Sequence, residues 1–228
     1  MMTPFEIIDI SQPIDSHSAC FPGDTAFHHD ITVHHAQSGI INLSAFSMSP
    51  HVGTHADAPV HIGGNLNKPD PHTQTVGQMP LTPFMGPTAV VDVSPLTEAI
   101  TWAHVEDQLS AYPTFPRRIL FKTCNIIRYH VFEEAYAWIS ADLAERMAER
   151  NVLLVGIDTP SVDAIDSKTL ETHHALQKGG VVWLENLDLS ALAIHSDQPQ
   201  TYFLSALPLK FMALEASPVR AVLLRFTP

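Results

Sequence analysis

Apolar and polar positions along this chain fall into short blocks whose period changes repeatedly. Phe5-Glu-Ile-Ile-Asp-Ile10 reads as an opening strand, and Phe27–His35 and Asn42–Ser49 as two more. Phe21-Pro-Gly-Asp24 is a turn. Thr88-Ala-Val-Val-Asp-Val93, Arg118–Thr123 and Val152-Leu-Leu-Val-Gly-Ile157 are short apolar runs of the kind that form buried strands. Helical spacing of Ile100, Val105 and Leu109 predicts a helix within 97–110. Leu143 and Met147, one turn apart behind the capping Ser140, predict a second over Ala141–Arg150. A third starts near Ser167 and stops at Gly179-Gly180, and a strand, Val181–Leu184, follows at once. Residues 63–88, rich in Gly, Pro, Asn and Thr, read mainly as loop, and Thr201–Leu207 and Val219–Phe226 as the last strands. Strands alternating with a few helices predict an α/β chain. The helices are too few for a fully wound sheet, so a sheet-rich core with peripheral helices is expected.

The chain has 228 residues, enough for one sizeable core, and a single domain is expected. A net charge of −12 disfavours nucleic acid and anionic membranes as partners. No apolar stretch is long enough to span a bilayer, and the start of the chain has no basic region followed by an apolar run. Cys20 and Cys124 are too few for a disulfide framework and read as reduced thiols of a cytoplasmic protein. The Gly-x-Ser-x-Gly elbow, the phosphate-binding glycine loop and the dinucleotide fingerprint are all missing.

Chemistry concentrates in one segment, His51-Val-Gly-Thr-His55-Ala-Asp57-Ala-Pro-Val-His61. His51, His55, Asp57 and His61 occupy odd positions, so an extended strand would turn all four to one face. Gly53 shares that face without a side chain and leaves room for an ion, and Pro59 argues against a helix. Imidazole and carboxylate donors suit zinc or a similar divalent ion. The chain has fourteen histidines, and each of these residues alone also fits an ordinary polar role. Glu185 closes an apolar strand in parity with Val181 and Trp183, which places a carboxylate at or near a buried face; an exposed strand-end acid is the alternative. His173 and His174 point about a quarter-turn apart on a helix, so one can face inward. His28, His29, His34 and His35 read as surface. Asp158, Asp163 and Asp166 follow a buried strand, where such residues serve a site or satisfy backbone donors.

The segment resembles the His-x-Gly-Thr-His-x-Asp-x-Pro-x-His signature of the metal-dependent cyclase/formamidase superfamily. Within it, the chain looks most like the bacterial-type kynurenine formamidases (arylformamidases). The matching blocks are Asp9-Ile-Ser11, Pro22-Gly-Asp-Thr25, Gly156-Ile-Asp-Thr-Pro-Ser-Val-Asp163, Asp166-Ser-Lys168 with His173-His174, and Ala206-Leu-Pro-Leu-Lys210 with Ala216-Ser-Pro-Val-Arg-Ala-Val222. The resemblance implies a swivelling β/β/α-type fold, usually a homodimer, with two divalent ions per chain, zinc or else manganese. It implies that His51, His55 and Asp57 hold one ion, that Asp57 and Glu185 bridge to a second bound by His173, and that His61 is the acid/base residue. The implied reaction is hydrolysis of N-formyl-L-kynurenine to L-kynurenine and formate, a step of tryptophan degradation. The family usually has Trp before Pro-Gly-Asp, where it lines the substrate pocket; here Phe21 keeps an aromatic face without the indole donor. Residues 94–116 are also longer than usual. The alternatives are a hydrolase of isatin-type or other cyclic amides from the same superfamily, and a metal-binding protein without catalysis.

Overall fold

The computed structural model describes residues 5–68, 73–194 and 200–226, so residues 69–72 of the expected 63–88 loop lie outside it. Four apolar runs form the middle of the structure. Met85–Asp92, Arg118–Lys122, Leu154–Ile157 and Val182–Glu185 pair in parallel in that order. They are covered on both faces, which is why they read as runs rather than as alternation. Antiparallel strands extend both sides: Thr201–Ser205, Val222–Phe226 and Phe5–Asp9 beyond Met85–Asp92, and His55–Asp57 and Ala216–Pro218 beyond Val182–Glu185. The result is one nine-stranded mixed sheet curled into a half-barrel, as the sheet-rich expectation required.

Helices Trp102–Ser110, Ala141–Glu149 and Glu171–Gly179 cover one face, where Val105, Leu109, Leu143, Met147 and Leu176 pack on Phe121, Val155 and Trp183. The other face buries Val90, Leu120, Leu184, Leu204 and Leu223. Ser140 caps its helix as expected, accepting from Leu143 N at 3.2 Å.

Several boundaries differ from the sequence expectation. The third of these helices begins at Glu171, not near Ser167, because residues 164–170 are taken up by turns that end on a left-handed Leu170. The expected loop at 63–88 contains two short 3-10 turns, Val76–Gln78 and Thr82–Phe84, and the strand after it already starts at Met85. His28–Val33 and Leu43–Ser47 form a two-stranded hairpin separate from the main sheet. No helix among the described residues is long and apolar enough to cross a membrane.

Candidate metal centre and cavity

The 51–61 segment is not the continuous strand its alternation predicts. Only His55–Asp57 is strand; Pro50–Gly53 is a turn, and Pro59–His61 is a 3-10 turn opened by the proline. Gly53 also has a different role from the one expected. Its φ is +69°, and a Cβ there would lie 2.7 Å from Ile14, so the glycine serves the turn and a close approach. The turns nevertheless bring the four side chains together from two sides of a short strand. His51 Nδ1 lies 3.1 Å from Asp57 Oδ1, and His61 Nε2 lies 3.9 Å from Asp57 Oδ2.

Strand register supplies Glu185. His55 and Asp57 share a face, and Glu185 sits directly across from His55 in the antiparallel pair. His55 Nε2 is 3.3 Å from Glu185 Oε2 and 3.4 Å from Asp57 Oδ1. Helix Glu171–Gly179 turns His173 inward and leaves His174 exposed. His173 Nε2 stands 3.5 Å from Glu185 Oε1 and 3.8 Å from Asp57 Oδ2. His51, Asp57 and His61, and separately His55, Asp57 and Glu185, present donor atoms close enough together to hold an ion. His28, His29, His34 and His35 stay on the surface, as expected.

Two buried atoms at the centre of this cluster, His55 Nε2 and Asp57 Oδ1, have no hydrogen-bond partner among the described residues. Orphaned buried polar atoms are costly, and a divalent cation between an imidazole nitrogen and a carboxylate oxygen removes that cost. The outer nitrogens of His55 and His173 are held by hydrogen bonds, and that of His51 faces a carboxylate. His55 Nδ1 donates to Gly53 O at 2.9 Å, His173 Nδ1 pairs with Asp163 Oδ2 at 2.6 Å, and His51 Nε2 faces Glu215 at 3.6 Å. Such outer acceptors fix the tautomer and aim the inner nitrogen, the pattern of metal-binding histidines. Trp183 Nε1 donates to Asp57 Oδ2 at 3.0 Å, and Val162 N to Glu185 Oε1 at 2.8 Å, so both carboxylates are oriented too.

The electrostatics agree with a site built for positive charge. Burial by itself would lower the pKa of the His51 imidazole, but Asp57, Glu215 and Glu185 outweigh it and push the value up to about 10. His173 is likewise raised to about 10, because Asp163, Asp57 and Glu185 overcome its burial. Burial would raise Asp57, yet the surrounding His55, His173 and His51 hold it well below the usual carboxylate range. His61 moves the other way: burial lowers it, and His51 and His173 add to that against the pull of Asp57.

The cluster forms the floor of a cavity of about 950 Å³ whose lining includes His51, His61, His173, Glu185 and Phe21. The His61 side chain is 28% exposed while His55 is 1% exposed, so a molecule in the cavity reaches His61 and not His55. Phe21 sits at the rim, packed edge-to-face on Phe132 with ring centroids 5.2 Å apart. Cys124 also lines the cavity, but burial and the adjacent Asp158 push its thiol up to about 12, which removes it as a nucleophile.

The family model for Cyclase matches residues 8–164, well over half of the chain. The chain belongs to the cyclase family. Among the curated relatives of this cyclase-family protein, the kynurenine formamidase of Paracidovorax citrulli (strain AAC00-1) is 40% identical over 225 residues, 98% of each chain. Among solved structures, isatin hydrolase A from Labrenzia aggregata superposes with a TM-score of 0.80 at 22% identity, covering 98% of this chain and 94% of that one. A predicted metal-dependent hydrolase from Bacillus stearothermophilus gives 0.75 at 23% identity, covering 97% and 98%. At such identities the structural likenesses speak to the fold, and the fold is that of cyclase-type hydrolases.

Much of the supporting ring leaves no clear signal in the sequence of this cyclase-family chain. Trp183 was visible only as a parity partner of Glu185. Asp163 was one of three loop acids with nothing to rank it. Glu215 was one of 24 acidic residues, and it reaches His51 only because Ala216 pairs with Asp57 across two strands.

Proposed function

We propose that this protein hydrolyses N-formyl-L-kynurenine to L-kynurenine and formate, with two divalent ions, most simply zinc, held in the cluster. The observation that carries the reading is the ring of inward-aimed imidazoles and carboxylates around His55 Nε2 and Asp57 Oδ1, in a chain aligned end to end with a kynurenine formamidase. His51, His55 and Asp57 hold one ion. Asp57, Glu185 and His173 would hold a second. A divalent ion held there would acidify water and polarise a carbonyl, the two deficits of amide hydrolysis. His61 does the proton work. Exposed to the cavity and held neutral by its burial, it accepts a proton as water oxygen bonds to the formyl carbon. It returns a proton to the aniline nitrogen as the C–N bond breaks.

Phe21, at the rim on Phe132, packs against the aryl ring of the substrate. Hydrolysis rates on a panel of formanilides, larger acyl anilides and isatin-type cyclic amides test the assignment. N-formylkynurenine is expected to give the highest kcat/KM; a wide margin for the cyclic amide overturns the formamidase reading and leaves the metal chemistry standing. Phe21→Ala is expected to raise KM by the loss of about 1 kcal/mol of aromatic contact, while Phe21→Trp preserves it.

The same reading includes a cytoplasmic homodimer. Two unpaired cysteines fit a reducing compartment. The hairpin His28–Ser47 holds Ile31, Ile41, Leu43 and Phe46 in solvent, a surface that a second copy would cover. The mass of the protein in solution is expected to be twice that of the chain, and a monomer at micromolar concentration contradicts it.

A further inference from the structure

The cavity has a cationic mark at its rim as well as a metal-grade floor. Its lining carries the acidic side chains of Asp24, Glu133, Asp158 and Glu185, and two residues with permanent cations, Arg128 and Lys168. Arg128 is already committed to Glu133. Lys168 is exposed and makes no ion pair or hydrogen bond with the described residues. It is the one lining ammonium without an acidic partner among them.

The loop that carries it starts from Asp163, whose carboxylate orients His173. Asp163 accepts from Thr172 N at 2.9 Å and His173 N at 3.0 Å and pairs with His173 Nδ1. Its backbone carbonyl accepts from Tyr136 Oη at 3.1 Å. Between Asp163 and the helix, Ser167 N donates to Ala164 O and Leu170 N to Ser167 Oγ, each at 3.0 Å. Leu170 then adopts φ +49°, a left-handed conformation that a branched side chain seldom takes without being held there. This stapled loop runs from the metal cluster to the rim and presents Lys168 at its tip. In a chain of net charge −12, an uncommitted ammonium at the rim is a local point of attraction for an anionic group entering the cavity.

We propose that Lys168 binds the α-carboxylate of the substrate, so that the enzyme selects an aryl formamide bearing an amino-acid tail over a plain formanilide. This rests on the formamidase reading. The formamide lies on the metal floor, and the tail extends to the rim, where a charge-assisted contact fixes the other end.

The test compares N-formyl-L-kynurenine with N-formylkynuramine, which lacks only the carboxylate. For the unaltered enzyme the KM ratio is expected to favour the acid about tenfold or more. Lys168→Gln is expected to collapse that ratio toward one, and Lys168→Arg to retain most of it. A ratio unchanged by Lys168→Gln, or an equal rise in both KM values, overturns the proposal, since a merely structural lysine would move both substrates alike. If neither formamide is hydrolysed, the formamidase reading fails by itself. Calorimetric binding of L-kynurenine against kynuramine then reads the same contact without turnover, and equal affinity for the two overturns it.

Discussion

Replacing His61 by alanine is expected to lower kcat by about a hundred- to ten-thousand-fold, the usual worth of a positioned acid/base group, while the protein keeps its metal. The geometry makes this a sharp distinction. His61 lies within reach of an ion shared with His51 and Asp57, so a ligand role is a real competitor. Three features favour proton transfer. Its Nε2 is 3.9 Å from Asp57, against 3.1 Å for His51. Its side chain faces the cavity, where His55 and Asp57 are closed off. Its pKa is held below the ordinary histidine value, first by burial and then by His51 and His173. The base form therefore persists below pH 6.5, and bound cations push in the same direction. The rate should fall in acid on a limb below that pH, and His61→Ala should lose that limb together with turnover. Metal content measured beside kcat decides the matter: metal lost in proportion to activity makes His61 a ligand.

The segment carrying this chemistry was legible, but for a partly mistaken reason. Period-two alternation over residues 51–61 predicts one extended strand. The convergence instead comes from a left-handed turn at Gly53, a three-residue strand and a proline-initiated 3-10 turn. Local spacing kept the answer because only His55 and Asp57 needed the strand, and the turns at either end fold His51 and His61 back over them. Glu185 was legible because strand parity is a local rule that tertiary packing preserved. The buried parallel strands were legible for a related reason: burial on both faces writes a continuous apolar run. The pairing of Asp163 with His173, the reach of Glu215 to His51 and the place of Lys168 at the cavity rim were not legible. These rest on partners far off in sequence or on how turns close, and neither composition nor period encodes that. The helix start was misplaced by the same cause, since residues 164–170 are polar enough for a helix end yet are spent on stapling the loop.

Stripping the metal with a chelator is expected to abolish activity and to reverse the pH dependence of stability. In the metal-free protein, the carboxylates around His51 and His173 hold both imidazoles up at about 10. A pKa raised above the unfolded value of about 6.5 contributes stability that is full below that pH and is lost as pH rises toward the folded value. The apo protein should therefore melt at progressively lower temperature between about pH 6.5 and pH 10. Metal binding replaces those protons, because a coordinating imidazole must be neutral. Uptake at neutral pH should accordingly release protons, readable as a dependence of the calorimetric heat on the ionisation enthalpy of the buffer. In the loaded protein, rising pH removes the competing protons and tightens the site, so the fall in stability disappears. A site at a thousandfold excess of metal over its Kd adds about 4 kcal/mol, which in a domain of this size raises Tm by roughly 8–16 °C. Asp57→Asn should mimic the chelator in activity and metal content, since it removes the carboxylate facing His51, His55 and His173 together. An apo protein whose Tm is flat from pH 6.5 to 10, with no proton release on adding zinc or manganese, would contradict the account of the cluster as a site that exchanges protons for metal.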